Sequence, residues 1–498
     1  MTNETKPVRV RLAPSPTGTP HIGTMRTAIF DWLLARATGG TFILRIEDTD
    51  RNRYVAGSLE YLYESLRWLG LDWDEGPEVG GPHAPYFQSE RLELYQAAAR
   101  LLIESGHAYE CYCTPERLDA MRNRQRELKQ PPGYDGRCRD EAGRAEAKSE
   151  AAGRPPVVRF HMPDEGETVV DDLLRGEVRF ENVRLDDSVL LKSDGFPTYH
   201  LAVAVDDHEM EITHIIRTDE WLPSAALHKR VFEALGYELP IFVHAPLVLG
   251  PDRSKLSKRH GAKSALEYRD EGYLPEAVFN YLALLGWSLD DKTEIISRAE
   301  FIEHFTLDRM LKSPGIFQAE KLDWMNGEYM RAMPDDEFAR RLIEWIEKPE
   351  EEGGLPGNVS RPLDFDYTLS FVPLVKERIK LFSMAREMVD FFYLPGGIET
   401  AADELAGKAF ANDHTRAAAL LSEVLVFSEQ APEWTTDALL EGYRALAERL
   451  GAKFGDLAGM IRVAITGRRV SPPLTESMQV LGRERCVERL RDAVQTLQ

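Results

Sequence analysis

Three groups of residues stand out for the chemistry their types and spacing permit. The first is Ser15-Pro16-Thr17-Gly18-Thr19-Pro20-His21-Ile22-Gly23. His21 stands at the first turn of an expected helix, where unpaired backbone N–H groups and the positive dipole end favour phosphate. Gly23 lets a ligand lie directly on the backbone. The second is Lys255-Leu256-Ser257-Lys258-Arg259, with Arg253 beside it. Two lysines three apart can follow charge as it moves onto a polyphosphate. The third is a thiol cluster, Cys111-Tyr112-Cys113 and then Cys138-Arg139-Asp140. Three thiolates and one oxygen complete a tetrahedral Zn2+ set, which makes Cys111, Cys113, Cys138 and Asp140 candidate ligands. Taken singly, each group has a plainer reading: a helix cap, a solvated basic loop, a packed set of cysteines.

The elements that must position these groups follow from hydrophobic periodicity. Residues 8–12 alternate as a short strand. Met25, Ile29, Trp32, Leu33 and Ala37 then fall near a 3.6-residue period that Gly39-Gly40 ends. Thr41–Ile46 is a second strand running into Glu47-Asp48-Thr49-Asp50. Strand, turn-rich loop, helix, strand is a βαβ unit, and α/β sheets bind ligands at the C-terminal ends of their strands. Residues 57–69 and 88–105 read as amphipathic helices. From Tyr109 to about Arg159 the chain turns polar, with short strands expected at 157–161, 178–180 and 188–192, as in an insertion that interrupts the sheet. The pattern resumes with the apolar run Thr198–Val205, then Ile212–Arg217, a helix through Leu222–Leu235, and Ile241–Val243. From Leu266 it is helical without a strand. Pro349–Asp366 reads as a linker and Tyr393–Thr400 as a second boundary.

Composition bounds the function. At 498 residues the chain has room for about three domains. No apolar run approaches the ~18 residues of a membrane span, and the first residues lack the apolar core of a secretory leader, so a cytoplasmic setting without membrane is expected. Four cysteines do not make a disulfide scaffold. A net charge of −22 argues against coating DNA or any nucleic acid by charge alone. The field is patchy, however. Five basic residues and one acid lie between Pro251 and Lys263, and eight bases against five acids lie between Gly451 and Gln498. Such patches suit a discrete nucleic-acid ligand.

His-Ile-Gly after the first strand and Lys-Leu-Ser-Lys after the resumed sheet together resemble the two signature sequences of class I aminoacyl-tRNA synthetases. Arg11–Gly18, Ile46–Asp50, Gly80–Pro82, Gln88–Arg91, Tyr134–Arg137, Leu191–Gly195, Pro197–His200, Asp206–His208 and Lys321–Gly327 narrow the likeness to the bacterial glutamyl-tRNA synthetases. It spans essentially the whole chain, by motif through the first 330 residues and mainly by helical pattern afterwards. The resemblance implies an α/β fold. A Rossmann-like catalytic domain (1–92 and 199–250) would hold an acceptor-end-binding α/β insert (93–198). A stem-contact domain with the KLSKR loop (251–334) would follow, then two all-helical anticodon-binding subdomains (335–400 and 401–498).

The resemblance also implies a reaction, in which L-glutamate is activated by ATP with Mg2+ and passed to the terminal adenosine of tRNA(Glu), 2′-OH first. A discriminating, monomeric enzyme is expected. Glutamate offers two carboxylates and one ammonium, so its pocket needs two cations, an anion and a polar lid. Arg11, Arg217, Glu47 and Tyr199 supply that set, and Arg pairs a planar carboxylate better than Lys. Ala13, Ser15 and Trp221 complete the wall. Glu220 would hold the ribose, with Thr17, Gly18, His21, Gly23, Leu247, Val248 and Lys258 around the nucleotide. His21, Lys255 and Lys258 would stabilise departing pyrophosphate. Ser257 reads as a loop-orienting residue, because no protein nucleophile is needed. Zinc-bearing relatives carry Cys-x-Cys…Cys-x-His, and here Asp140 stands in the last position. Val203 stands where some relatives have Asn. For tRNA, Arg378 in Lys376-Glu377-Arg378-Ile379-Lys380 resembles the anticodon-reading arginine, and Arg462, Arg468 and Arg469 are backbone contacts by charge. Trp345 and Trp434 read as core residues. Glutaminyl-tRNA synthetase, a shorter tRNA-modifying relative and a cofactor-precursor nucleotidyltransferase are the rival enzymes, and a non-enzymatic scaffold is the plain alternative. A long helical C-terminal region disfavours all three rival enzymes, and the co-presence of Arg11, His21, Glu47, Arg217 and Lys258 disfavours the scaffold.

Overall fold

The computed structural model describes residues 6–261 and 263–498, and the side chains of Arg51 and Lys258 lie outside the described residues. The chain divides into two compact units, Met1–Tyr268 with Pro275–Ala319, and Arg269–Leu274 with Glu320–Gln498.

In chain order the first unit carries β1 (Arg9–Leu12), α1 (Ile22–Thr38), β2 (Thr41–Leu44), α2 (Ser58–Trp68), α3 (Leu92–Glu104), β3 (Ala108–Cys111), α4 (Pro115–Glu127) and α5 (Glu141–Glu150). There follow β4 (Val157–Phe160), β5 (Glu167–Asp172), β6 (Gly176–Glu181), β7 (Val189–Leu191), α6 (Tyr199–Glu209), β8 (His214–Thr218), α7 (Ala225–Leu235) and β9 (Ile241–Ala245). β1 and β2 pair in parallel, as do β8 and β9. The Thr213 N–H donates to Arg9 O at 2.9 Å, which sets β1 alongside β8. Val10, Phe42, Ile43, Leu44 and Val243 are fully buried, the pattern of a parallel sheet covered on both faces. The turn from α1 into β2 requires glycine. Gly39 takes φ +63°, and a Cβ on Gly40 would come within 2.3 Å of Val8 O.

The insert interrupts the sheet in sequence yet extends it in space. β5 adds in parallel to β9 at Asp172 and Phe242, and β6 pairs antiparallel to β5 at the edge. β3, β4 and β7 form a separate antiparallel sheet. The three strands expected in this region stand at 157–160, 176–181 and 189–191. The apolar run Thr198–Val205 belongs to a helix, α6. Residues Leu201–Asp207 are buried on every side, between α3, α7 and the β3-β4-β7 sheet, so no polar face marks the period. Val203 lies in that buried stretch.

The expectation of no strand beyond Leu266 is corrected by Gly315–Ile316, which pairs in parallel with Val248–Leu249. In the second unit every described element is helical. The compact unit begins near residue 320, since Lys321–Gly327 already belongs to it. The buried Asn326 accepts the Leu274 N–H at 2.8 Å and donates to Lys380 O. Pro349–Asp366 is a folded connection, since Leu355 and Val359 are buried in it and Arg361 caps its carbonyls. The stretch around residue 394 is likewise tied down. Arg489, 1% exposed, donates to the carbonyls of Phe391, Leu394 and Gly396. Trp345 is buried, and Trp434 anchors its indole N–H on Met478 O at 2.8 Å. Among the described residues no helix is long and apolar enough to cross a membrane.

Candidate active site

The C-terminal ends of β1, β2 and β8, with the loops after them and after β9, surround one cavity of about 1090 Å³. Arg11, Ala13 and Ser15 reach it from the end of β1, Glu47 from beyond β2, and Tyr199 from the start of α6. Arg217 enters near the end of β8, with Trp221 on the following turn. This is where a parallel α/β sheet presents its loops to a ligand.

The two arginines differ electrically. Arg11 is buried and gives Nε and one terminal nitrogen to Asp207, at 3.0 and 3.2 Å. Burial opposes its charge, but Asp207 outweighs that and raises its pKa. Arg217 is 6% exposed and has no carboxylate partner among the described residues. It donates to Tyr199 Oη at 3.1 Å and to the ring nitrogens of His228 and His244, and its Nη2 is buried without a partner. Burial lowers its pKa. A buried guanidinium nitrogen left unmatched wants an acceptor from outside the protein. Glu47 is 9% exposed, and burial pushes its carboxyl up to about 7, against the pull of Arg45 and Arg11. The Tyr199 and Trp221 rings pack with centroids 4.6 Å apart.

Of the residues expected around the nucleotide or its leaving group, Thr17, His21, Gly23, Glu220, Leu247, Val248 and Lys255 line the same cavity. His21 caps α1, its Nδ1 accepting the Gly23 N–H at 3.1 Å. Burial first, and Lys255 next, lower its pKa and keep the ring neutral. A Cβ at position 23 would stand 2.8 Å from the His21 ring. Lys255 Nζ meets Glu220 Oε1 at 2.5 Å. Ser257 Oγ and N–H both contact His260 Nδ1, at 3.1 and 3.3 Å, which fits a loop-orienting part. Gly18 is absent from the cavity wall, and its φ of +140° gives it a backbone task in the turn. The side chain of Lys258 lies outside the described residues.

Sequence reasoning missed the supports of this site. Arg45, fully buried, bridges Asp207 at 2.7 Å and Glu47 at 3.3 Å. Asp206 accepts from Gln88, Arg91 and Tyr95 within 2.9 Å, fastening α6 to α3 and the segment before it. The signal was present as adjacent acids inside an apolar run, a costly burial unless paired. His228, His244 and Asp172 carried no such signal.

The thiol cluster is assembled, with the sulfurs of Cys111, Cys113 and Cys138 all within 4.8 Å of one another. Asp140 is not with them. Its carboxylate caps α5 through the Gly143 N–H at 2.7 Å. The oxygen among the sulfurs is Tyr134 Oη, 3.4 Å from Cys111 and 3.3 Å from Cys113. Hydrogen bonds from Cys113 and Cys138 push the Cys111 thiol down, toward the thiolate a metal needs. In the second unit Arg378, Lys380 and Arg469 are exposed. Lys376 is buried against Asp335 and Met333 O, so the expected row of three cations has two free members. Arg468 is held by Asp390, and Arg462 donates to Ser471 and Pro472. The positive charge of Arg378 helps depress the Arg462 pKa, after burial, so the two are neighbours.

Residues 7–324 match the model of the class I tRNA synthetases (E and Q) catalytic domain, and residues 337–494 match an anticodon binding domain. A glutamate–tRNA ligase of Dehalococcoides mccartyi is 50% identical over 497 residues, covering 100% of this chain and 99% of that protein. The chain belongs to the glutamate–tRNA ligase family. A Moorella thermoacetica ligase is 46% identical, covering 97% of each chain. A crystal structure of the ligase from Elizabethkingia meningosepticum, in complex with its amino acid, superposes with a TM-score of 0.86 at 36% identity, covering 99% of this chain and 100% of that one. As in that family, a class I catalytic unit and a helical anticodon-binding domain make up this ligase. The helical second unit sets aside the β-barrel of the glutamine-specific rival.

Proposed function

We propose that this ligase activates L-glutamate with ATP and transfers it to tRNA(Glu), discriminating against tRNA(Gln), as a monomer in the cytoplasm. The observation that carries the substrate reading is the buried, unpartnered Nη2 of Arg217, in one cavity with Arg11, Glu47 and Tyr199. Two cations answer two carboxylates, and Glu47 answers the ammonium, whose arrival draws its raised pKa down. The adjoining start of α1 receives phosphate.

The α-carboxylate of glutamate attacks the α-phosphorus of ATP. The bond to the bridging oxygen breaks, pyrophosphate leaves, and glutamyl-adenylate forms. His21, Lys255 and Lys258 receive the negative charge on the leaving group. Mg2+, carried by ATP, supplies further neutralisation of the phosphates. Glu220 holds the ribose, while Thr17, Gly23, Leu247 and Val248 enclose the nucleotide. The terminal 2′-hydroxyl of tRNA then attacks the activated carbonyl, and AMP departs. Positioning and electrostatics do the work, with no covalent enzyme intermediate. Cys111, Cys113 and Cys138, with Tyr134 as the oxygen, fit Zn2+, which would staple the insert away from the chemistry. Arg378 reads the anticodon, with Arg469 on the backbone.

The test is charging of separately transcribed glutamate and glutamine tRNAs with labelled glutamate, ATP and Mg2+. Glutamate on its own tRNA alone is the expected result. Charging of both tRNAs would overturn the discriminating reading, and charging of neither, with tRNAs proven competent, would overturn the substrate reading.

A further inference from the structure

Among the described residues the hydrogen-bond partners of Arg217 are all neutral acceptors, and the Asp207 carboxylate acts on it only through space. Its Nε donates to His244 Nε2 at 3.0 Å, and its Nη1 to His228 Nδ1 and Tyr199 Oη, both at 3.1 Å. A guanidinium has only donors, so both ring nitrogens facing it are unprotonated. The His244 proton therefore sits on Nδ1 and is given to Asp172 Oδ2 at 2.7 Å, with both side chains fully buried. The His228 proton sits on Nε2 and is given to His200 Nδ1 at 3.0 Å. Both tautomers are thus set from behind, His244 by a residue of β5 in the insert and His228 by a residue of α6.

We propose that His244, oriented by Asp172, and His228, oriented by His200, are positioning residues that hold Arg217 as a cation with no carboxylate bonded to it and so support the preference of its subsite for carboxylate over carboxamide. Arg11 shares Asp207 with Arg45, so its charge is partly offset, whereas among the described residues no carboxylate is bonded to Arg217. Were the acceptors carboxylates, a substrate anion would meet a neutral pair. With imidazoles, the guanidinium is fully oriented and its charge is still available. A carboxamide offers it one neutral oxygen, leaves the guanidinium charge unanswered and brings an N–H group where a carboxylate would bring a second acceptor, a buried polar mismatch that a hydrogen-bonding site rejects. Burial and the Arg217 charge hold the pKa of both histidines below the ordinary imidazole value, which keeps them acceptors.

The inference rests on the glutamate-pocket reading, and the experiment separates the two. Steady-state charging of glutamate tRNA is measured for Arg217→Ala, His244→Leu, His244→Gln and His228→Leu. The readouts are KM for glutamate, KM for ATP, and the ratio of kcat/KM for glutamate over glutamine. His244→Gln keeps an acceptor where Nε2 stood and is expected to stay within about threefold of the parent. His244→Leu and His228→Leu are each expected to raise the glutamate KM on the order of tenfold and to lower the ratio, leaving the ATP KM unchanged. If the leucine variants leave the glutamate KM and the ratio unmoved, or lower both amino acids equally, the positioning proposal falls. If Arg217→Ala also leaves the glutamate KM unmoved, the pocket reading itself falls. Should leucine at 244 prevent folding, Asp172→Asn gives the same reading: its amide N–H favours the tautomer with the proton on Nε2, facing the Arg217 donor. It is expected to lower the ratio, and an unchanged ratio counts against the proposal.

Discussion

At the scale of single residues, charge is set by burial as much as by partners. Glu47 and Asp207 both lie in the buried network around Arg45, yet burial raises Glu47 to about 7, while Arg11 and Arg45 hold Asp207 below the usual carboxylate range. In the proposed role Glu47 must be deprotonated to meet an ammonium, and the free enzyme loses that anion as pH falls through about 7. The pH profile of kcat/KM for glutamate, which reports the free enzyme, is expected to rise to a plateau above this value. Glu47→Gln should lower kcat/KM at pH 8 on the order of tenfold or more and flatten the acid limb. A variant profile that keeps the limb would assign it to another group. Glu47 and Arg217 were legible as candidates through the family resemblance and through the cation and anion that a glutamate pocket needs. Arg45 was not, because an arginine within a strand gives no hint that it will be fully buried among carboxylates.

At the scale of elements, two short pieces do the positioning. The start of α1 places His21, and Gly23 leaves room for its ring. Gly23→Ala is expected to displace the imidazole and lower kcat about tenfold or more, with the glutamate KM little changed, because misplacing a group proposed to stabilise the leaving pyrophosphate would act on the transition state. An unchanged kcat would remove His21 from that role. In the insert, the thiol cluster ties β3 to the loop before α5. Purified protein is expected to hold about one zinc per chain by metal analysis, and Cys138→Ser or a strong chelator should lower the melting temperature of the insert. Asp140→Ala should cost only a helix cap, about 1 kcal/mol, and leave the metal content intact. Metal loss in that variant would restore Asp140 as a ligand.

At the scale of the whole molecule, a chain of net charge −22 still offers cations where the second unit leaves them unpaired. Arg378 and Arg469 are exposed, whereas Arg468 is bound to Asp390. Three variants separate these uses. Arg378→Ala is expected to raise the KM for glutamate tRNA about tenfold and relax the choice between glutamate and glutamine tRNAs. Arg469→Ala should weaken both tRNAs alike and reduce the salt dependence of binding. Arg468→Ala should lower thermal stability and leave that salt slope in place, and a lowered slope would show that Arg468 reaches the nucleic acid after all.

The amino-acid sequence by itself determined the βαβ start and the helical C-terminal half, each a local matter of periodicity and turn residues, while most of the cavity wall was named through the family resemblance that its short motifs carry. Segments such as His21-Ile22-Gly23 and Asp206-Asp207-His208 could be quoted in place because their spacing is short. Only the tertiary structure decided which charges were spent. It gave Arg11 to Asp207, Lys376 to Asp335 and Arg468 to Asp390, and it left one nitrogen of Arg217 without a partner among the described residues. It also replaced Asp140 by Tyr134 at the thiols and brought Asp172 from the insert to stand behind His244. These pairings join residues dozens to hundreds of positions apart, and their energies depend on burial that no local window contains.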